Sequence, residues 1–365
     1  MRLATRLAAA CALLATALAW SRAPAQSPRR AAETPRVVAE PDEALVVETD
    51  LVDLHVRVAD ARAPPVTDAR REQFRVFEDG VEQEIKFFSR EEVPINYGLV
   101  FGNTRSLRAH VGEMIGAAKT IVEGSRAGDE FFLARFEPRA GGVALKWDYT
   151  TERDALFPML DSLRGESGAA ALRDALYFSA SYVARGDDGA AARGDGAAAR
   201  GDETAAARSG GKPPATPIKT APRALRRRAL IVLTDGVDRA SRYKEDELLA
   251  RLAAEGVQVY AVGFLEMGGT GERAGARRRE QARSLLARVA DATGGRAFFP
   301  TSFAELPAVA REIARDLRTQ YVVGYTPTNR ARDGRFRSVR VTVSGGDGAR
   351  TAATRPGYFA PGAKE

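Results

Sequence analysis

The stretch Ala229–Arg242, ALIVLTDGVDRASR, decides how this chain is read. Ala229 to Leu233 is an unbroken apolar run, the pattern of a strand buried on both faces. It stops abruptly at Thr234-Asp235-Gly236, so an acidic residue stands where the strand leaves the core. In open α/β sheets, ligands bind outside the carboxyl ends of strands. Asp-Gly is also ordinary turn chemistry, so Asp235 alone reads equally well as a turn residue.

Working outward, strand and helix patterns alternate. Tyr97–Phe101, Glu130–Phe136, Val143–Trp147, Val257–Phe264 and Arg296–Phe299 read as strands. Leu107–Val122, Arg153–Leu163, Leu172–Val183, Tyr243–Glu255, Glu280–Ala292 and Phe303–Leu317 read as helices, the last with Pro307 in its first turn. This rhythm predicts an α/β fold: a doubly wound, mostly parallel sheet with helices on both faces.

Both ends of the chain read as β. In Leu51–Val58, Val52, Leu54, Val56 and Val58 alternate with Asp53, His55 and Arg57, which predicts a strand with one wet face and makes His55 a surface histidine. Phe74–Glu78 and Val81–Phe87 flank Asp79-Gly80, a type I′ hairpin signal. Tyr321–Tyr325, Phe336–Ser344 and Thr351–Phe359 are further strands. Residues 44–92 are too few to bury a core alone, so the expectation is a β-sandwich-like unit built from both chain ends.

The first 25 residues have a basic start at Arg2 and Arg6, an Ala/Leu-rich run and Ala23-Pro24-Ala25, an A-x-A cleavage signal. They predict a signal peptide and an exported chain, periplasmic or secreted. Its apolar run is a poor membrane span, and no later stretch qualifies. Cys11, the one cysteine, lies within that segment, where a lipid anchor would leave hardly any apolar region before it. The mature chain therefore has no thiol chemistry, and only His55 and His110 as imidazoles. Losing Arg2, Arg6 and Arg22 lowers the formal charge from +7 to +4, much of it in one spacer, which argues against a nucleic-acid footprint.

The expected organisation is signal peptide 1–25, flexible lead-in 26–43, N-terminal β unit 44–92, α/β domain 93–318 and C-terminal strands 319–361. Within the α/β domain, residues 185–225 carry Arg185-Gly186-Asp187, Arg193-Gly194-Asp195 and Arg200-Gly201-Asp202 between alanine runs. That low complexity predicts a disordered insert, and the repeats read as an expanded tract and not as an adhesion signal.

Phe74–Gly80 with Gln83-Glu84-Ile85, Val93-Pro94 before Gly98-Leu99-Val100, Leu172–Leu176, Leu233–Asp238, Ala292–Gly295, Asp333–Phe336 and Gly357-Tyr358-Phe359 occur in a telling order. Together they resemble the von Willebrand factor A domain, and more narrowly its bacterial exported relatives, over roughly residues 44–361. The resemblance implies a metal-ion-dependent adhesion site at the carboxyl edge of the sheet. Its first loop would be Asp-x-Ser-x-Ser; the matching positions are Gly102, Thr104 and Ser106, so the carboxylate is missing. Its second-loop threonine falls at Ala170, with Ser167 off register, while the third-loop acid is kept as Asp235. Magnesium is commonly held by one or two carboxylates plus waters. Thr104, Ser106 and Asp235 thus form a degenerate site, with no cofactor expected and at most weak Mg²⁺ or Mn²⁺ binding.

No G-x-S-x-G, H-E-x-x-H or G-x-x-x-x-G-K-[ST] occurs. Gly269–Ala274 resembles a dinucleotide fingerprint but lies several residues past its strand, in what reads as a mobile loop. Arg277-Arg278-Arg279 reads as a solvated cluster just before a helix. The expectation is a non-catalytic, exported protein-interaction module. Its partner edge is formed by the loops 102–108, 165–171 and 234–242, with Gly102, Arg105, Arg108, Ser167 and Asp238 named as contact residues. The rival reading is a structural component of the cell envelope with no specific ligand there.

Overall fold

The computed structural model describes residues 51–60, 65–90, 93–102, 105–136, 143–163, 171–184, 226–265, 272–345 and 350–362. The signal segment, the lead-in, the 185–225 insert, Thr104, Ser167, Ala170 and Gly269–Gly271 lie outside them. In chain order the strands are β1 (Val52–Asp60), β2 (Phe74–Glu78), β3 (Val81–Gln83), β4 (Ile85–Ser89), β5 (Ile95–Phe101), β6 (Glu130–Phe136), β7 (Val143–Thr150), β8 (Arg227–Thr234), β9 (Val257–Gly263), β10 (Arg296–Phe298), β11 (Tyr321–Tyr325), β12 (Phe336–Val343), β13 (Arg350–Ala353) and β14 (Gly357–Phe359). The helices are α1 (Val111–Glu123), α2 (Arg153–Asp161), α3 (Leu172–Val183), α4 (Glu245–Ala254), α5 (Glu272–Ala292) and α6 (Leu306–Arg318).

The apolar run becomes β8, inside a six-stranded sheet of order β10-β9-β8-β5-β6-β7. All neighbours are parallel except β7, which pairs antiparallel at one edge. Alternate residues of β8 serve opposite cores. Ala229, Ile231 and Leu233 pack with α1, α2 and α6; Leu230 and Val232 pack with α3, α4 and α5. Both faces are covered, which is why the run shows no polar alternation.

The chain ends form two antiparallel four-stranded sheets, β13-β1-β11-β4 and β14-β12-β2-β3. Their core holds Val52, Leu54, Val56 and Val58 of β1 against Phe74, Val76, Tyr321, Val323, Tyr325, Val339 and Val341. Asp79 and Gly80 both take positive φ, 48° and 84°, the geometry of a type I′ turn between β2 and β3.

Several local readings change. The strand read over Val81–Phe87 is broken at Glu84, where the chain passes from one sheet to the other. The strand read over Thr351–Phe359 divides in the same way into β13 and β14, because strands of a sandwich switch sheets at its corners. Arg277–Arg279 lies within α5, not ahead of a helix; arginine is a good helix former and carries the helix back to Glu272.

His55 is not a surface residue. The face of β1 carrying Asp53, His55 and Arg57 turns toward the amino ends of the central strands. There Arg57 Nε lies 3.6 Å from Asp316 of α6. Arg227, at the start of β8, donates to Leu317 O at 2.5 Å, Gln258 Oε1 at 2.8 Å and Gln320 Oε1 at 2.6 Å. Burial, reinforced by the charges of Arg227 and Arg355, holds the His55 imidazole well below its ordinary pKa. Polar alternation reads the face as wet; it is half-buried against the rest of the molecule, with Asp53 and His55 lining a cleft.

Candidate functional site

With the sandwich at the amino ends of the central strands, their carboxyl ends form the opposite edge. β5 and β8 leave it side by side, and Gly102 N donates to Leu233 O at 2.8 Å. The loop after β8 is held by its own side chains. Thr234 Oγ1 accepts from Gly236 N at 3.0 Å, and Asp235 Oδ1 accepts from Val237 N at 3.2 Å. Gly236 has φ 71°, and a Cβ there would come within 2.6 Å of Ala282 Cβ, so glycine is required where α5 crosses the loop. Ala282 is thus level with the edge, and the ten residues before it carry α5 about 15 Å beyond. Arg277 and Arg278 are exposed on that projecting part.

The start of α3 and the loop 235–243 grip each other. Asp238 Oδ2 accepts from Arg173 Nε at 2.8 Å and Arg173 N at 3.2 Å, thereby capping a first-turn N–H of α3. In return Asp174, 1% exposed, accepts from Arg242 N at 2.8 Å and Tyr243 N at 3.0 Å. The Asp238 carboxylate, named from the sequence as a contact residue, is therefore spent on internal bonds. In the sequence Asp174 stands out only within Leu172–Leu176, where an acid in the first turn of a helix is the available signal.

This grip places aromatic rings beside the edge. Tyr243 stacks on Tyr177 of α3 with centroids 3.7 Å apart and planes 9° apart. Phe178, 43% exposed, meets Tyr243 edge-on at 5.7 Å. The Arg251 guanidinium lies 5.5 Å from the Tyr177 centroid. Arg239 and Arg242 are exposed on the same loop, and among the described residues neither has a carboxylate partner. Sequence reading missed these aromatics because Tyr177 and Phe178 sit in a helix and Tyr243 sits in a turn, with no shared pattern.

Of the other residues singled out, Arg108 is exposed in the 3-10 segment Arg105–His110 that leads into α1. Arg105 and Ser106 contribute backbone to that segment. Thr104 and Ser167 lie outside the described residues. Among the described residues few side-chain oxygens at this edge are uncommitted. Gly102 offers no side chain, Asp174 and Asp238 are engaged with loop N–H groups and Arg173, and Asp235 remains as a carboxylate already bonded to Val237 N. Among the described residues no three His, Cys, Asp or Glu side chains converge as a metal-holding group.

No family model matches the chain, and no curated protein sequence matches it. Among solved structures it is similar to proximal thread matrix protein 1 from the mussel byssus, at 16% identity and TM-score 0.42 over 62% of this chain and 48% of that one. It is similar to a von Willebrand factor type A structure from Catenulispora acidiphila, at 11% identity and TM-score 0.41 over 86% and 74% of the two chains. It is also similar to a pilus adhesin from Lactobacillus rhamnosus GG in an open conformation, at 10% identity and TM-score 0.42 over 84% and 47%. The chain spans about half the length of the mussel protein and of the adhesin.

Proposed function

We propose that this chain is an exported, non-catalytic protein-interaction module of von Willebrand A type, whose partner docks on the carboxyl edge of the central sheet. The observation that supports this is the pairing of exposed Phe178, edge-on to the stacked rings of Tyr177 and Tyr243, with Arg239 and Arg242 on one pinned loop. Aromatic and arginine side chains dominate binding energy at protein interfaces, and a preorganised loop loses little entropy on docking. In this reading the metal-ion site is degenerate, because Gly102 stands where its first carboxylate would be. Export rests on the basic, apolar and A-x-A features of residues 1–25. The compartment is the periplasm or the exterior, with association with the envelope.

The test is cross-linking capture from an envelope extract by residues 26–365, repeated with Phe178→Ala and with Arg239→Ala/Arg242→Ala. Loss of the same captured protein by about tenfold in both variants, equivalent to ~1.4 kcal/mol, supports the reading. Equal capture by all three proteins overturns it.

One observation favours a structural envelope role. Phe336 and Phe359, 47% and 44% exposed, form an edge-on pair at 5.3 Å on the sandwich, away from the carboxyl edge. Capture lost on Phe336→Ser/Phe359→Ser and kept by the edge variants assigns the contact to the sandwich.

A further inference from the structure

A second polar site lies at the other end of the central sheet. Where the sandwich meets the amino ends of β8 and β9, a cleft of about 250 Å³ opens. Asp53 and His55 of β1 line it from one side, joined by Arg355 from the link between β13 and β14. Phe87, Val257 and Val322 add apolar wall.

Arg226 and Arg228 also line it and are bonded within the protein, to Asn96 Oδ1 and Glu130 and to Glu255 O respectively, whereas Asp53 and Arg355 are less well matched. Arg355 Nη2 donates to the backbone O of Asp53 at 3.0 Å, which fixes the guanidinium over the strand. Arg355 Nε has no hydrogen-bond partner, nor has His55 Nδ1. Among the described residues the Asp53 carboxylate accepts no hydrogen bond and forms no ion pair, with Arg355 or with any other cation. Burial raises the Asp53 pKa, with the Arg355 charge opposing, and burial lowers that of Arg355. Two opposite charges are thus both partly stripped of water with no direct ion pair between them, an arrangement that costs free energy unless something bridges them.

We propose that this cleft binds a small zwitterion, an α-amino acid with an apolar side chain. The ligand carboxylate takes the Arg355 guanidinium, the ligand ammonium takes the Asp53 carboxylate, and the side chain lies along Phe87, Val257 and Val322. A simple anion would face Asp53, and a simple cation would face Arg355 together with Arg226 and Arg228, which also line the cleft. A cleft of about 250 Å³ has room for one amino acid. The site is remote from the carboxyl edge and does not depend on the docking reading.

The experiment is calorimetric titration of residues 26–365 with L-alanine, L-valine, L-leucine and L-methionine. Two leucine mimics, 4-methylpentanoate and 3-methylbutylamine, each lack one charge. The expected result is saturable binding of at least one amino acid, with both mimics weaker than leucine by about tenfold or more. Asp53→Asn and Arg355→Gln should each reduce amino-acid binding by a similar factor, with melting curves confirming that both fold. Absence of saturable binding by all four amino acids up to about 10 mM means the cleft holds water only and overturns the proposal. Equal binding of 4-methylpentanoate and leucine overturns it in favour of an anion site. The mimics test the unaltered protein, so the outcome stands even where a variant fails to fold.

Discussion

Asp238 and Arg173 form a two-point contact, side chain to side chain at 2.8 Å and carboxylate to backbone N–H at 3.2 Å. They are 65 residues apart in the chain, and the contact locks the loop leaving β8 onto the start of α3. Asp174 closes the same junction from the other side through Arg242 N and Tyr243 N.

Removing either acid should therefore loosen one unit. Asp238→Ala loses a cap and an ion pair and should cost about 1–2 kcal/mol. Asp174→Ala leaves two loop N–H groups without their acceptor and should cost about 3 kcal/mol. In a double-mutant cycle by urea unfolding, the two effects should couple by more than about 0.5 kcal/mol. Strict additivity would show that the two contacts act separately.

Titration of the mature chain with Mg²⁺ or Mn²⁺ should give weak heats or none, because Gly102 supplies no carboxylate beside Asp235. Gly102→Asp should increase the affinity, and Gly102→Asp with Ala170→Thr should increase it further. Tight binding by the unaltered chain would contradict the degenerate-site reading and point to partners that contribute a carboxylate.

The depressed His55 pKa has a signed consequence. The unfolded chain takes up a proton near pH 6.5 and the folded chain does so only well below that, so acid favours unfolding. Through this window stability should fall by up to about 1.4 kcal/mol per pH unit from His55 alone. Melting temperatures between pH 7.5 and 5.5 should drop more for the wild type than for His55→Gln. Parallel curves would show that His55 is protonated in the folded state as readily as in the unfolded one.

Replacing residues 185–225 with a short Gly/Ser linker should shift the melting temperature by only a few degrees. The segment is low in complexity, and loop-closure entropy changes by only ~0.6 kcal/mol for each doubling of length. A lost or greatly broadened transition would mean that the insert packs.

Much of the architecture is written locally. The apolar run at Ala229–Leu233 needs two covered faces, and Asp79-Gly80 needs a type I′ turn whatever the rest of the chain does. Leu172–Val183 has the same limits as a pattern and as a helix, since its apolar spacing leaves no other periodicity. The candidate site was less legible. Asp235 could be found because it ends a strand, whereas the ring stack of Tyr177 and Tyr243 joins a helix to a turn far along the chain.

Local pattern, then, was enough for the alternation of strands and helices and the β character of both ends, since each depends on side chains close in sequence. Tertiary structure decided which polar face meets water. Asp53, His55 and Arg57 alternate in β1 as a solvated face would, yet they meet Arg227, Asp316 and Arg355, which lie 172 to 302 residues away. Periodicity reports that a face is polar; only the packing of distant elements determines whether water or protein satisfies it.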